Sequence, residues 1–308
     1  MRIFIIRKII RTLFIVWVAL TVAFLALHFL PGSPVQRLLG ISYYHQNVFE
    51  TVSAEYDLNK PIYNQYTSFL GDTLTGNWGD SIINGRDINT EVQRRLPFSL
   101  IISIPTFIIS LILGLVLSMI IASSKRKQAM NIIKKVVIFL SSIPPFIIGI
   151  AILLIAALIF HSSPQAEDLN FISVFLSVIT LTLIICSYLV RHLLVFLEEE
   201  SKRRYILFLV GRGISNREVW LKHILRNSLV PIITVSGLML GYLIVGTIIV
   251  ETIFGIPGIG RMFFESILNR DYPVVQAIIV IAIIFFAVVN LLVDFLHIVV
   301  DPRLRHKT

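Results

Sequence analysis

The chain has 308 residues, 56% of them hydrophobic and 15% charged, with a formal net charge of +9. A soluble globular protein carries about 25% charged residues, so this composition excludes the soluble class. Six segments without Asp, Glu, Lys or Arg are each near or above the roughly 18–20 residues that cross a bilayer. They predict an all-α integral membrane protein with six transmembrane helices. The six segments are 12–30, 98–124, 136–160, 171–190, 227–250 and 272–293.

Basic residues are distributed unevenly among the segments that flank these apolar runs. The N-terminal segment, residues 123–135, residues 191–226 and the C-terminal tail together hold 20 of the 27 Lys and Arg residues. Cytoplasmic loops show this enrichment, so we expect both termini in the cytoplasm. The same distribution explains the net charge by membrane topology and argues against nucleic-acid binding.

The first apolar run follows four basic residues, as a signal peptide does, but it is too long for one. It ends at Pro31-Gly32 without a small-residue cleavage site, so we expect a retained first span. The single cysteine, Cys186, excludes an intrachain disulfide.

The chain divides into four predicted regions. They are an N-terminal segment with the first span (1–30), an external region (31–97), a five-helix core (98–300) and a tail (301–308).

The external region has a helical pattern of its own, because Ile62, Tyr66, Phe69 and Leu70 recur at helical spacing. Two interpretations stay open for it: a lid over the span ends, or a functional contact surface.

Three features precede the second half of the core. Residues 123–135 carry five basic side chains and predict a solvated loop near lipid headgroups, with a partner contact as the alternative. Pro144-Pro145 predicts a kink in the third span or a distortion of its first turns. The run of Glu198–Glu200 and Lys202–Arg204 predicts a solvated, charged helix end.

Residues 201–231 are the longest break between apolar runs in the second half of the chain, and they predict a helical hairpin. Gly213 suits the end of a first short helix, because glycine takes positive φ without a Cβ penalty. Ser215 and Glu218 form a Ser-x-x-Glu capping-box pattern that opens a second helix. That second helix separates an apolar side from a basic one. A hairpin of this kind suits a groove on a soluble partner. The apolar side holds Val219, Trp220, Ile224 and Leu225, and the basic side holds Arg217, Lys222 and Arg226.

Small and polar residues in the last two spans are candidates for packing or for a transport pathway. Gly237-x-x-x-Gly241, followed by Gly246, is a pattern that lets helices approach closely. Asn290 and Asp294 lie in the last span, where an ionisable residue is either functional or part of a polar pair with a neighbouring helix.

The segment 251–260 is rich in glycine but lacks the Gly-Lys-Ser/Thr ending of a phosphate loop. The sequence also contains no His-x-x-x-His pair and no nucleophile-elbow, Walker or zinc-protease motif. We therefore expect no catalytic residue, no metal site and no bound cofactor in this chain.

Several motifs resemble the permease subunits of binding-protein-dependent ABC importers, most closely the dipeptide, oligopeptide and nickel branch. The resemblance covers nearly the whole chain and is strongest from Tyr205 to Arg305. One departure is that Leu207, Phe208 and Leu209 stand where the family has a polar residue followed by small ones. The matching positions are Tyr205, Gly213, His223, Leu225, Arg226, Asn227 and Pro231, the segments 251–260 and 270–276, and Asp301–Arg305.

The resemblance implies a type I permease fold in the bacterial cytoplasmic membrane, with residues 201–231 as the loop that docks on the ATPase. It also implies a second permease of similar fold in a heterodimer, two cytoplasmic ATPases that bind ATP, and an external binding protein. The implied cargo is a peptide or a nickel complex. The implied coupling residues are Tyr205, Gly211, Gly213, Ser215, Glu218, His223, Arg226, Asn227 and Pro231, and the candidates for pathway or packing are Gly237, Gly241, Gly246, Glu251, Asn290 and Asp294.

A second class of function stays open from the residues alone: a self-sufficient secondary transporter or an intramembrane enzyme. A secondary transporter usually shows internal repeats with broken helices, and no clear repeat is visible. An enzyme needs convergent polar groups at membrane depth, and only Asn290 and Asp294 come close.

Overall fold

A computed structural model describes residues 2–29, 59–124, 126–160 and 170–300. Two features from the sequence lie wholly or partly outside these ranges: the external region, of which residues 31–58 are not described, and Asp301–Arg305. Apart from one isolated bridge between Asp80 and Asp87, the regular structure in the described ranges is helical, as predicted.

The described ranges contain the following helical segments in chain order. They are α1 (Arg2–Phe29), α2 (Ile62–Thr75), α3 (Ile88–Ser123), α4 (Lys127–Ser142), α5 (Pro145–Phe160), α6 (Phe171–Ser201), α7 (Arg204–Gly211), α8 (Asn216–Glu218), a π-helical turn (Val219–Ile224), α9 (Leu225–Asn227), α10 (Leu229–Phe254), α11 (Ile259–Asn269) and α12 (Tyr272–Val300).

Within these ranges, five helices are long and apolar enough to cross a membrane: α1, α3, α6, α10 and α12. The predicted third span is instead a pair of helices, α4 and α5, bent by 99° at the break between them. Counting that pair as one span gives six. The bend follows from Pro144, because the residue before it, Ile143, adopts an extended backbone with φ −79° and ψ 130°.

Two sequence boundaries were wrong. Residues 123–135 are not a loop, because α4 begins at Lys127 and continues past them. The second span helix begins at Ile88, ten residues before the uncharged run at 98–124. Asp87 caps its first turn, and the side-chain carboxylate accepts hydrogen bonds from the backbone N–H (2.7 Å) and the hydroxyl (2.5 Å) of Thr90.

Contacts divide the chain into two compact units, and the first comprises residues 1–99 and 257–287. In this unit α2 packs on α1, which confirms the helical pattern predicted for 62–70. The Phe24 and Phe69 rings stack with centroids 5.4 Å apart, and the Thr21 and Tyr66 hydroxyls lie 2.7 Å apart.

A second contact area in the same unit joins the start of α3 to α11 and α12. Its buried residues are Ile88, Val92, Met262, Val274, Ala277 and Ile278.

The second unit comprises residues 100–256 and 288–308. Here α10 packs on α5 and α6, and α4 packs on α6. A buried cluster of Ile121, Val137, Val190 and Leu194 joins α3, α4 and α6. This unit carries the 201–231 hairpin at the end of α6.

Candidate functional site: the 201–231 hairpin

The hairpin contains the two local features that the sequence predicts. The first short helix, α7, is followed by Gly213 with φ +82°, and the N–H of Gly213 donates to the carbonyl of Val210 (3.0 Å). Ser215 then caps the second helix, since its hydroxyl accepts from the N–H of Glu218 (3.3 Å). The carboxylate of Glu218 accepts from Lys222 at 2.7 Å, one turn further on.

The second helical segment is irregular, because a π-helical turn over Val219–Ile224 separates α8 from α9. Single π turns inside α-helices are rare and frequently occur at functional sites. Three residues of the predicted apolar side, Val219, Trp220 and Ile224, are buried, and Leu225 is half-buried.

A hydrophobic cluster fixes the hairpin to the transmembrane helices of the same unit. Burial of each aliphatic side chain in such a cluster contributes about 1.5–3 kcal/mol. Its position makes the hairpin a packed extension of α6 and α3 and not a loose loop. The cluster contains Leu197, Ile206, Val219, Trp220 and Ile224, with Met119, Ala122, Tyr205, Leu209 and Ile214 packed against it.

A buried carboxylate lies at the base of the hairpin. Glu200, in the last turn of α6, is only 6% exposed. Its Oε1 atom accepts from the Tyr205 hydroxyl at 2.7 Å and from the Asn227 amide at 3.3 Å. Its Oε2 atom lies 2.7 Å from Nε of Arg203. Asn227 also donates to the Tyr205 oxygen at 2.8 Å.

The burial of Glu200 contradicts the expectation that residues 198–200 form a solvated, charged helix end. Glu199 is exposed and fits that expectation, but Glu200 does not. The run of three glutamates concealed the difference, because helical rotation alone decides which of them turns towards Tyr205 and Asn227.

Part of the hairpin surface is apolar and exposed. Leu207 is 68% and Phe208 60% exposed, and Val210 and Leu221 are also exposed. The Arg212 guanidinium lies over the Phe208 ring, 4.5 Å from its centroid. The Leu207–Leu209 segment differs from the family pattern, and of its three residues only Leu209 packs against the cluster described above.

The remaining predicted hairpin residues occupy separate positions. Gly211 ends α7, Pro231 lies in the first turn of α10, His223 is half-buried and Arg226 is exposed. The structure therefore joins Tyr205 and Asn227 both directly and through Glu200. The other predicted residues are distributed along the hairpin.

The glycines of α10 lie at close helix contacts. A Cβ atom built on Gly237 would lie 2.2 Å from Cγ2 of Val293, and one built on Gly246 would lie 3.0 Å from Cδ2 of Leu181. These contacts support packing for both positions. Gly241 is half-buried in the same helix.

The polar candidates of the last two spans differ in their exposure. Glu251 is fully buried inside α10, whose end is at Phe254, whereas Asn290 is exposed and Asp294 half-buried. His297 of α12 makes a polar contact with α10, because its Nε2 lies 2.9 Å from the Thr234 hydroxyl and 3.2 Å from the Val230 carbonyl.

Comparison with known proteins decides the family. The family "binding-protein-dependent transport system inner membrane component" matches residues 114–306, well over half of the chain. The chain belongs to this family. It is thus a multi-pass membrane protein and a permease of a binding-protein-dependent ABC importer, which confirms the resemblance seen in its motifs.

Relatives of this permease match it along almost the whole chain. The glutathione transport system permease protein GsiC of Shigella boydii serotype 4 (strain Sb227) is 28% identical over 298 residues, which are 97% of this chain and 96% of the relative. GsiC of Escherichia coli (strain K12) matches with the same identity and coverage.

A solved structure supports the fold of the permease. The inward-facing MetNI methionine ABC transporter superposes with a TM-score of 0.52 at 18% identity and covers 70% of this chain and 96% of its own. The type I permease fold expected from the sequence is therefore confirmed.

Proposed function

We propose that this permease forms half of the translocation pathway of an ATP-driven importer and that the 201–231 hairpin couples it to cytoplasmic ATPases. The observation that carries the proposal is the construction of the hairpin. Its base is fixed to α3 and α6 by the buried cluster, while Leu207 and Phe208 remain exposed for a partner. A helix face presented in this way suits a groove on another protein.

Motion of the hairpin would then drive transport. ATP binding draws the two ATPases together and displaces both docked hairpins. Because each hairpin is packed against its own spans, the displacement moves those spans as rigid bodies between inward-open and outward-open states. ATP is bound and hydrolysed by the partner subunits.

Three partners complete the proposed importer: a second permease of similar fold, as a heterodimer, a pair of ATPases and an external binding protein. The family description supports the last of these directly, since it names binding-protein-dependent transport. The heterodimer and the cytoplasmic position of both termini stay predictions, supported by the motif resemblance and by the distribution of basic residues.

We assign a short peptide as the cargo. Support comes from the relatives GsiC, which are named as glutathione transport permeases and match along 97% of this chain. A nickel complex is the competing cargo. Complementation of a strain that lacks this subunit distinguishes the two cargoes. The proposal requires that the restored gene rescue growth on short peptides but not nickel uptake. Rescue of nickel uptake alone would contradict the assignment.

Substitution of Gly213 tests the coupling role. A Cβ at this position meets nothing within 4 Å, so any effect of Gly213→Val comes from the backbone strain of a β-branched residue at φ +82°. We expect normal membrane insertion with reduced ATPase co-purification and reduced uptake. Gly213→Asn, which tolerates positive φ, should stay close to wild type. Wild-type docking and uptake in the Val variant would refute the coupling role.

The assignment of ATP binding and hydrolysis to the partner subunits has a separate test. The isolated permease should neither bind nor hydrolyse ATP, whereas the assembled complex should do both. Stoichiometric ATP binding by the purified chain alone would contradict the proposal.

A further inference from the structure

We infer that Glu200 is a positioning residue that locks both ends of the hairpin to α6, so that the hairpin and the span move as one body. The inference rests on the proposed coupling function, because it specifies how movement of the docked hairpin reaches the membrane. Glu200 lies outside the motif positions that carry the family resemblance.

Local electrostatics disfavour a buried carboxylate at this point of the chain. Glu200 lies in the last turn of α6, where the unpaired carbonyl groups create a negative end that favours cations. A buried carboxylate is also costly unless it is paired and hydrogen-bonded. Hydrogen bonds and an ion pair from Arg203, Tyr205 and Asn227 must therefore offset both the negative helix end and the cost of burying the charge. Local rules are expected to fail in this way at functional sites.

The partners come from both ends of the hairpin. Tyr205 lies five residues after Glu200, in the first turn of α7, and Asn227 lies 27 residues after it, at the end of α9. One carboxylate oxygen accepts from both. The start and the end of the hairpin are thus both hydrogen-bonded to one atom of α6, Oε1 of Glu200.

The Tyr205 hydroxyl is held in one orientation. It donates to Glu200 and at the same time accepts from Asn227 at 2.8 Å. Burial raises the pKa of the Tyr205 phenol, and the hydrogen bond to Glu200 raises it further. The phenol therefore stays protonated, and remains a donor, throughout the physiological pH range.

The docking surface is separate from this joint. Leu207 and Phe208 are exposed, whereas Glu200 is buried. Loss of the joint should therefore leave ATPase docking intact and weaken the transmission of hairpin movement to α6, which the buried cluster alone would then carry. The expected defect is uncoupling, in which ATP hydrolysis continues but transports less solute.

The test uses the complete importer, reconstituted in proteoliposomes, with uptake and ATP hydrolysis measured together. We expect Glu200→Ala to retain ATPase co-purification and to lower solute transported per ATP by about two- to thirty-fold. Glu200→Gln keeps an acceptor oxygen for Tyr205 and Asn227, so it should restore most of the coupling. Glu199→Ala, the exposed neighbour, is the matched control and should behave as wild type.

A second variant keeps the inference testable if Glu200→Ala does not fold. Tyr205→Phe preserves the ring that packs against the cluster and removes the hydroxyl that connects Glu200 with Asn227. We expect normal assembly and a lower ratio of uptake to hydrolysis. A wild-type ratio in Tyr205→Phe or in Glu200→Ala would overturn the inference, as would an equal loss in Glu199→Ala. If the unmodified hairpin does not dock on the ATPases at all, the proposed function itself fails.

Discussion

Gly237 of α10 and Val293 of α12 are in such close contact that a Cβ atom on the glycine would lie 2.2 Å from Cγ2 of the valine. Real Cβ atoms essentially never approach another heavy atom to this distance. The two helices therefore touch through backbone on one side and a branched side chain on the other, as helices in membranes do at small residues.

Substitution at Gly237 should loosen this contact. We expect Gly237→Ala to destabilise the permease by about 1–3 kcal/mol, the usual cost of overpacking a filled interior. Melting temperature in detergent measures the effect. Gly71→Ala is the control, because a Cβ there meets nothing within 4 Å. Val293→Ala removes the clashing methyl groups and should partly rescue Gly237→Ala; additive destabilisation by the two changes would argue against direct contact.

A second prediction concerns a buried carboxylate in the first unit. Asp271 is 4% exposed and accepts hydrogen bonds from the Ser81 hydroxyl and, at 3.1 Å, from the Ile82 N–H. Burial raises the pKa of Asp271 above its ordinary value of 3.8, although the hydrogen bonds from Ser81 and Ile82 oppose the shift. The folded state thus takes up a proton at higher pH than the unfolded state does.

The sign of the pH dependence follows from that raised pKa. The stability that Asp271 contributes is full below pH 3.8 and is lost as the pH rises through the folded-state pKa. Asp271→Asn removes the buried charge, so it should melt at or above the wild-type temperature at neutral pH, with a difference that shrinks on acidification. Asp271→Ala leaves Ser81 and Ile82 without this acceptor and should cost about 1–3 kcal/mol. A difference for Asp271→Asn that grows on acidification would contradict the assignment.

Short-range rules account for the features that the sequence predicts well. The spacing of Ile62, Tyr66 and Phe69 gives α2, and the positive φ of Gly213 and the cap at Ser215 depend on a few neighbouring residues. These features need no knowledge of distant contacts.

The features missed in the sequence depend on tertiary contacts. Burial of Glu200 requires Asn227, which is 27 residues away. The early start of α3 is not apparent from uncharged runs, because its first turns contain the charged residues Glu91 and Arg95, whose side chains pair at 3.2 Å. Pro144 predicts a kink but not its size; α4 and α5, which both pack on α6, are bent by 99°.

The single cysteine allows a direct test of topology. In a Cys186→Ser background, Lys202→Cys and Asp72→Cys each place one thiol at an exposed position. The excess of basic residues predicts a cytoplasmic Lys202 and an external Asp72. A membrane-impermeant maleimide should therefore label Asp72→Cys in intact cells and Lys202→Cys only after lysis. Labelling of Lys202→Cys in intact cells would overturn the predicted orientation.

The last prediction concerns the apolar surface in which this chain departs from its family. Leu207 and Phe208 are 68% and 60% exposed, whereas the adjacent Leu209 packs against the buried cluster. If Leu207 and Phe208 enter an apolar groove of the ATPase, each contributes about 1.5–3 kcal/mol on burial.

Serine substitutions separate docking from folding. Leu207→Ser and Phe208→Ser should leave the melting temperature of the permease nearly unchanged and weaken ATPase binding by about tenfold or more each, since 1.4 kcal/mol corresponds to a factor of ten. Leu209→Ser is the matched control and should instead lower the melting temperature, because it introduces a hydroxyl next to the cluster. Unchanged ATPase affinity in the Leu207→Ser, Phe208→Ser double variant would place the docking surface on the basic side of the second helix, at Arg217, Lys222 and Arg226.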